Sequence, residues 1–401
     1  MYSMMHHSVR RLLYGFLLLC ASASASAIPQ FSLISGNRCS GCHVNVQGSG
    51  LRTNLGWYSY MDVSMIPREG SFLSGLYAGD ESNQFLDDKL TLGMDVRIQN
   101  TRSFYDSAAP RTTFPMQANI YASYDFAKEF MVEGSFNFAA LRKAPNSTEV
   151  VRYPGQRAGT LSAIFKPSDS LPMLRVGFFR PAIGLRWDDH TAFTNSYVTG
   201  SSRQALVAPM WAEYGAEISY ESLKWLTVQA GVFGSSGLSE LKFSDGKDLY
   251  AAFSGNAPTY TARVMVWPRA FDDKINMFVG ASGLVNYNLG MVNAWAGVGL
   301  TDWLALQAEF MHLDRVGVLQ ANNITAELMV QVWSPLLPYV RFEHGETKRA
   351  QVADLATVNS IILGAQLFPI PYVEIRPEYR IWDTALPGYT SRWNVQLHIF
   401  Y

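Results

Sequence analysis

The sequence predicts an all-β protein, a sixteen-stranded antiparallel outer-membrane β-barrel preceded by a small, mostly helical or loop N-terminal segment. From about residue 89 to residue 401, apolar and polar side chains alternate with a period of two. This alternation is typical of strands between lipid and water. Charged residues make up 16% of the chain, and its mean hydropathy of zero lies between the values for soluble and for helical membrane proteins.

The first residues predict an export signal. Arg10 and Arg11 precede an apolar stretch from Leu12 to Leu19, and the small residues 25–27 follow it. We therefore expect residues 1–27 to be removed and the mature chain to begin at Ile28. The apolar stretch is too short for a transmembrane helix, which needs about 20 residues. A lipoprotein signal at Cys20 is the alternative, although the residue before this cysteine is not small.

The alternation divides the remaining chain into sixteen segments of about ten residues, which suit tilted strands in a bacterial outer membrane. They are 90–99, 113–126, 130–141, 157–166, 172–180, 210–220, 225–234, 258–267, 275–285, 290–300, 303–312, 322–333, 337–345, 356–367, 371–382 and 392–401. We therefore expect residues 28–85 to form the N-terminal segment and residues 86–401 to form the barrel.

The connections support a barrel rather than a soluble β-sandwich or propeller. Tight periplasmic turns are predicted at 127–129, 221–224, 301–302, 334–336 and 369–370, and longer outer loops lie between them, the longest over 181–209. Aromatic residues near strand ends predict membrane-interface girdles. They are Phe126, Trp211, Trp225, Trp267, Trp303 and Trp333.

The N-terminal segment contains Cys39-Ser40-Gly41-Cys42-His43, the attachment motif of a c-type haem. We expect Cys39 and Cys42 to form the two haem thioethers and His43 to be the proximal iron ligand, giving one covalent haem c. A zinc or thioredoxin-type pair is less consistent with the sequence, because two cysteines supply too few zinc ligands and no βαβ pattern surrounds them.

The distal iron ligand is open. If residues 51–65 were helical, Leu51, Leu55 and Tyr58 would share a face with Met61 or Met65, so either methionine could reach the iron. Two further readings stay open, namely a vacant position and a residue from elsewhere in the chain. A lumen histidine near the end of the last predicted strand, His398, is the non-local candidate. Asp188, Asp189 and His190 form an acidic and imidazole cluster in the longest outer loop, where solvated charge is the commoner role.

The N-terminal segment is too short to enclose a haem in a core of its own. We therefore expect it to lie in or against the periplasmic mouth of the barrel. Mixed charges on the lumen face of two predicted strands could hold such a plug or simply line a wet pore. They are Arg341, Glu343, Glu374, Arg376, Glu378 and Arg380.

With Pro29 and Phe31 before the haem motif and Leu51-Arg52-Thr53-Asn54-Leu55-Gly56 after it, the chain resembles the fused monohaem cytochrome-porins of iron-oxidising bacteria. The resemblance covers the layout of the mature chain and, residue by residue, about 28–57. It implies an electron-transfer cytochrome, and thus an iron oxidase, that takes electrons from extracellular Fe(II) and passes them to a periplasmic c-type cytochrome. The stretch Gly177–Gly184 is also similar to a segment of phosphate-selective porins.

Three function classes remain open from the sequence. A redox conduit is the first, running inward from Fe(II) or outward to an external acceptor. A diffusion porin with a gating or sensing haem segment is the second. Haem chemistry on a small molecule such as peroxide is the third, and it lacks a distal His or Arg near the motif. The net charge of −1 gives no reason to expect a nucleic-acid partner.

Overall fold

The computed structural model describes most of the mature chain. The described residues are 29–48, 50–59, 63–68, 70–72, 74–75, 77, 82–104, 111–141, 157–185, 192–199, 202–205, 210–238, 257–270, 274–287, 289–350, 355–383 and 391–401. The predicted signal, Met61 and the cluster Asp188, Asp189 and His190 lie outside them.

Three short helices lie in the N-terminal segment: α1 (Pro29–Ser35), α2 (Cys39–Cys42) and α3 (Asn54–Tyr58). α3 begins after Thr53, whose hydroxyl accepts a hydrogen bond from the Gly56 amide at 3.2 Å. Among the residues that the structure describes, no helix has both the length and the hydropathy of a transmembrane helix.

The prediction that residues 51–65 form one helix with an apolar face is wrong. α3 ends at Tyr58, and the described residues between Val63 and Ile66 are not helical. Leu55 and Tyr58 are about half exposed, whereas Trp57 is completely buried. The physical reason is tertiary: the larger indole packs against the barrel and determines which face of the short helix turns inward.

In the described part of the chain, twenty strands follow the helices in chain order, and four of them are short. The short strands are β1 (Gln84–Phe85), β7 (Ser196–Thr199), β8 (Ser202–Ala205) and β12 (Arg269–Ala270). The others are β2 (Leu90–Phe104), β3 (Arg111–Ala127), β4 (Phe130–Asn137), β5 (Gly159–Phe165), β6 (Met173–Phe179), β9 (Glu213–Tyr220), β10 (Leu226–Phe233), β11 (Thr259–Val266), β13 (Ile275–Asn286), β14 (Leu289–Leu300), β15 (Leu304–Arg315), β16 (Leu319–Val330), β17 (Leu336–Arg349), β18 (Ala356–Ile370), β19 (Val373–Trp382) and β20 (Ser391–Phe400).

The sixteen longer strands form a closed antiparallel barrel. Each pairs with its neighbours in the ring, with β6 paired to β9 and β11 to β13. The short strands β1 and β12 extend the same sheet by pairing with β2 and β13, and β7 and β8 pair with each other in a separate sheet. The ring closes between β2 and β20, in a register that runs from Asp95 opposite Phe400 to Phe104 opposite Ser391. This confirms the predicted fold class and strand number.

Burial on the strands is the inverse of that in a soluble protein. Along β15 and β16 the residues alternate between buried and more exposed positions, and the outward ones include Leu306, Phe310, Ile324 and Leu328. The buried partners include Gln307, Glu309, Asn323, Thr325 and Glu327. Apolar side chains therefore face lipid and polar ones face the lumen, as in outer-membrane barrels.

The lumen face of β13–β16 is divided into three layers along the barrel axis. A polar middle layer contains the inward residues just named on β15 and β16. Toward the periplasmic turns it gives way to the apolar Phe278, Trp295, Ala305 and Met329. Toward the outer loops it gives way to Leu284, Leu289, Met291, Met311, Leu313, Leu319 and Ala321. Two apolar clusters thus lie above and below a charged belt.

The longest connection folds into the lumen instead of extending outward. We call its described residues 181–185, 192–199 and 202–205 the inner loop. Its backbone amides donate to lumen carboxylates on separated strands: Ala182 to Glu217 at 3.2 Å, Leu185 to Glu309 at 2.9 Å, and Phe193 to Glu343 at 3.2 Å. These bonds satisfy backbone groups that would otherwise be buried without partners, and they hold the loop across the barrel.

The predicted aromatic girdle is only partly correct. Phe126, Trp225, Trp303 and Trp333 are 48–64% exposed, as interface residues should be. The assignment of Trp211 and Trp267 to this girdle is wrong, because both are buried: Trp211 packs with the inner loop and Trp267 lies in the periplasmic apolar cluster.

Candidate functional site

The N-terminal segment enters the periplasmic mouth of the barrel. α1 packs against β13, β14 and β15. Asn276 Nδ2 donates to the Leu33 carbonyl at 2.9 Å, and the Asp302 amide donates to the Ile34 carbonyl at 3.0 Å. Gly299 of β14 lies so close to the Leu33 backbone that a side chain there would overlap it. We call the described residues 29–77 the periplasmic plug.

The predicted haem-attachment motif forms one buried turn inside this plug. The His43 amide donates to the Cys39 carbonyl at 3.0 Å and closes the turn. Cys39, Cys42 and His43 are each 4% exposed or less, and no disulfide joins the two cysteines. His43 leaves the turn in an extended conformation, with φ −128° and ψ 147°. The structure therefore brings all three predicted attachment residues together at one place.

A hairpin-like return holds the motif from behind. His43 and Arg52 form an antiparallel β-bridge, and the Thr53 amide donates to the Cys42 carbonyl at 3.1 Å. Thr53 Oγ1 donates to the Gly41 carbonyl at 2.8 Å. A Cβ at position 56 would overlap the Cys42 carbonyl, so glycine is required for α3 to lie against α2 at this distance.

Aromatic rings join the plug to the barrel beside the motif. The Trp57 ring stacks on Tyr372, with centroids 5.5 Å apart and an angle of 24°, and meets Tyr401 edge-on at 5.7 Å. Tyr77 packs against the same Tyr372 ring, and its hydroxyl donates to the Pro371 carbonyl at 3.0 Å. These contacts fix the plug to the turn between β18 and β19 and to the C-terminal residue of the barrel.

A chain of buried charges continues from the plug into the barrel wall. Arg52 Nη1 and Nη2 both lie 3.4 Å from Asp95 Oδ1 on β2. His398 on β20 contacts that same oxygen through Nε2 at 2.8 Å and Glu374 Oε2 through Nδ1 at 2.9 Å. Arg376 Nε donates to the other oxygen of Glu374 at 2.9 Å. These contacts tie the residue opposite His43 to three strands of the barrel.

The predicted lumen charges also form contacts across the wall. Arg341 Nε donates to Glu327 Oε2 at 2.7 Å, and Glu327 in turn accepts from the side-chain amide of Gln30 in α1. Arg380 Nη2 donates to Glu378 Oε2 at 2.9 Å. Charges of this wall therefore bind one another and the plug, in line with the plug-holding role that the sequence left open.

Burial affects the pKa of the second cysteine of the motif. It raises the pKa of the Cys42 thiol to about 11; the neighbouring Cys39 also raises it, and the Arg52 guanidinium opposes the increase. Cys42 is therefore a protonated thiol at neutral pH in this arrangement.

The structure describes two of the three distal-ligand candidates, Met65 and His398. Met65 is 45% exposed, and its amide donates to the Phe368 carbonyl at 2.9 Å. His398 lies in the lumen near the periplasmic end, as predicted, but carboxylates engage both of its ring nitrogens. Met61 lies outside the described residues. Ligation of the iron by Met61 or Met65 stays a prediction.

Sequence reasoning missed two side chains next to the motif, Trp57 and Arg263. Trp57 could have been found as the one large aromatic beside Gly56. Arg263 lies on β11 with the same parity as Thr261 and Met265, which marks it as lumen-facing. No feature of the sequence indicated that Arg263 lies beside the plug. Alternation predicts which face of a strand a residue occupies, but it does not predict which segment fills the lumen.

No protein-family model and no curated protein sequence matches the chain. Solved structures of similar fold include Pseudomonas putida OprB at high pH, which is 12% identical with a TM-score of 0.54 and covers 86% of this chain and 100% of that one. Salmonella typhi OmpF in complex with daunomycin is 11% identical with a TM-score of 0.54 and covers 79% of this chain and 100% of that one. The barrel has the fold of bacterial outer-membrane porins, and its apolar outward face matches residence in that membrane.

Proposed function

We propose that this chain is an outer-membrane electron-transfer protein, with one c-type haem attached at Cys39 and Cys42 in the periplasmic mouth of a plugged barrel. The observation that carries the proposal is the position of the attachment motif. It lies buried in a segment that is bound to the lumen wall, at the end of the barrel where a covalently held group would face periplasmic carriers.

The residues present fit a covalent haem. Two thiols stand one helical turn apart, the histidine follows directly, and Cys39 packs in a cluster of apolar and aromatic side chains. Such surroundings suit a porphyrin, because they exclude water and offer flat apolar contacts. When bound, the haem would supply reversible one-electron chemistry.

The chain's own residues would position the haem. Cys39 and Cys42 would fix the porphyrin edge, and His43 would ligate the iron through its imidazole. Arg52, paired with the His43 backbone and held by Asp95, would keep that strand against the barrel. Trp57 would exclude water from the periplasmic side.

A closed lumen supports electron transfer over solute flow. In an open channel the inward polar side chains would be exposed to water, whereas Glu217, Glu309, Glu327 and Glu343 are each 3% exposed or less. The hydrocarbon layer that such a conduit must cross is about 30 Å thick. A redox group inside the barrel shortens the distance that an electron must travel.

The resemblance noted in the sequence supplies the direction and partners of this proposal. It implies extracellular Fe(II) as electron donor and a periplasmic c-type cytochrome as acceptor, which would make the chain an iron oxidase. A conduit that exports electrons to an external acceptor would use the same site in reverse.

A diffusion porin with a haem-bearing gating plug is the second candidate function. The similarity of the fold to OprB and OmpF favours it, because both are porins. The two functions differ in a measurable way. Liposomes carrying the purified protein should transfer electrons to trapped cytochrome without leaking small solutes if the conduit proposal is correct. Solute leakage at porin rates without electron transfer would contradict it and support the porin.

Haem attachment and iron oxidation are tested separately. A Cys42→Ala variant should lose covalent haem staining on a denaturing gel, and retained staining would contradict the attachment site. The absorption spectrum of the oxidised protein should change to that of a reduced haem when Fe(II) is added near neutral pH. An unchanged spectrum would contradict iron oxidation and leave the membrane cytochrome intact.

A further inference from the structure

One buried arginine of the lumen differs from its neighbours in having no carboxylate within salt-bridge distance in the described part of the chain. Arg263, on β11, is 3% exposed. By contrast, Arg175 lies 3.4 Å from Glu133, Arg341 lies 2.7 Å from Glu327, and Arg52 and Arg380 also have carboxylates within 3.4 Å. A buried cation is costly unless an anion compensates it.

The contacts of Arg263 are weak for a charged donor. Nε donates to the Gly184 carbonyl of the inner loop at 3.3 Å, Nη1 to Gln229 Oε1 at 3.0 Å, and Nη2 to the thioether of Met265 at 3.3 Å. Its guanidinium carbon also lies 5.0 Å from the centre of the Trp295 ring. A thioether is a poor acceptor, so these contacts fix the position of the charge without neutralising it.

The nearest carboxylates are engaged elsewhere. Glu217 accepts from the Ala182 amide and from Gln229, and Glu309 accepts from the Leu185 amide and from Asn293. Glu221 accepts from the hydroxyl of Thr227. These are the acidic groups from β9, β15 and the β9–β10 turn that face Arg263.

The positive charge lies beside the attachment motif. Cys39 belongs to the same buried cluster as Met265 and Trp295, both of which contact Arg263. A haem attached at Cys39 would therefore lie next to the arginine.

We propose that Arg263 is the counter-charge of the haem and raises its reduction potential. This inference rests on the proposed function. A haem with ionised propionates is an anion in both oxidation states, and reduction makes it more negative. A cation fixed nearby in a medium of low dielectric constant therefore stabilises the reduced form more than the oxidised one.

The test is an optical redox titration of purified, haem-bearing protein. Arg263→Gln should lower the midpoint potential, and Arg263→Lys should stay nearer to the wild type because it keeps the charge. Arg175→Gln is the matched control, since Arg175 is also buried and lies over an aromatic ring but is paired with Glu133. Its midpoint potential should equal that of the wild type.

A second variant keeps the test valid if removal of Arg263 prevents folding. Met265→Glu retains the arginine and gives it a carboxylate, so it should also lower the potential. If haem-bearing Arg263→Gln or Met265→Glu kept the wild-type midpoint potential, the inference about Arg263 would be overturned and the proposed function would stand. The same would follow if the midpoint potential fell as far in Arg175→Gln as in Arg263→Gln. A wild-type chain without covalent haem would overturn the proposed function as well, and haem staining detects this before any titration.

Discussion

Trp57 holds the periplasmic plug in the barrel, and its replacement by alanine should release the plug without unfolding the strands. A tryptophan side chain buries about 150–250 Å², which at about 25 cal/mol per Å² corresponds to roughly 4–6 kcal/mol. Measured Trp→Ala changes in protein cores cost about 3–5 kcal/mol. Since about 1.4 kcal/mol is a tenfold change in equilibrium constant, the undocked population should rise by roughly 100- to 4,000-fold.

Hydrogen exchange measures this population directly. The Met65 and Ile66 amides donate across the boundary between plug and barrel, to the Phe368 carbonyl at 2.9 Å and the Pro369 carbonyl at 3.1 Å. Undocking breaks both bonds, so a peptide covering residues 63–68 reports the undocked population. In Trp57→Ala its exchange should accelerate by the factor given above, while peptides from β15 and β16 keep the wild-type rate. Trp225→Ala is the control, because Trp225 is 52% exposed on the rim. Unchanged exchange at 63–68 in Trp57→Ala would refute the reasoning.

Two glycine substitutions test two further close contacts, one inside the plug and one between the barrel wall and the inner loop. Gly56→Ala forces a Cβ into the Cys42 carbonyl, so α3 must move away from α2, and we expect a loss of most covalent haem on a stained gel. Gly345→Ala places a Cβ in the Phe193 ring of the inner loop, and the displaced loop should increase single-channel conductance in planar bilayers.

Each glycine has a control with open space around it. A Cβ at Gly75 or at Gly290 would meet no atom within 4 Å. Gly75→Ala should keep wild-type haem staining, and Gly290→Ala should keep wild-type conductance. Equal haem loss in Gly56→Ala and Gly75→Ala would contradict the close contact with Cys42. Equal conductance in Gly345→Ala and the wild type would contradict the role given to Phe193.

The strands and the motif could be predicted from the sequence because both depend on local patterns. Period-two alternation places each side chain on one face of a strand whatever lies opposite. The same rule would have corrected Trp267, which shares the parity of Arg263 and Met265 and so faces inward. Distance from a strand end was the wrong criterion for a girdle residue, and strand parity was the right one.

The contents of the lumen could not be predicted in this way. The inner loop folds inward because Glu217, Glu309 and Glu343 accept its amides, and these three residues are more than 120 positions apart from first to last. The contact of Trp57 with Tyr372 likewise joins two residues that lie 315 positions apart in the sequence. Such contacts join parts of the chain that no local window contains.

Closure of the ring has a consequence for the order of assembly. Arg52 lies 3.4 Å from Asp95 on β2, and its guanidinium carbon lies 4.6 Å from the centre of the Phe400 ring on β20. Asp95 and Phe400 are opposite one another across the last joint of the cylinder. The binding place for Arg52 therefore exists only after the first and last strands have met. The N-terminal segment is synthesised first, yet Arg52 can reach its full binding place only after the ring has closed, and once bound it fastens the seam from within.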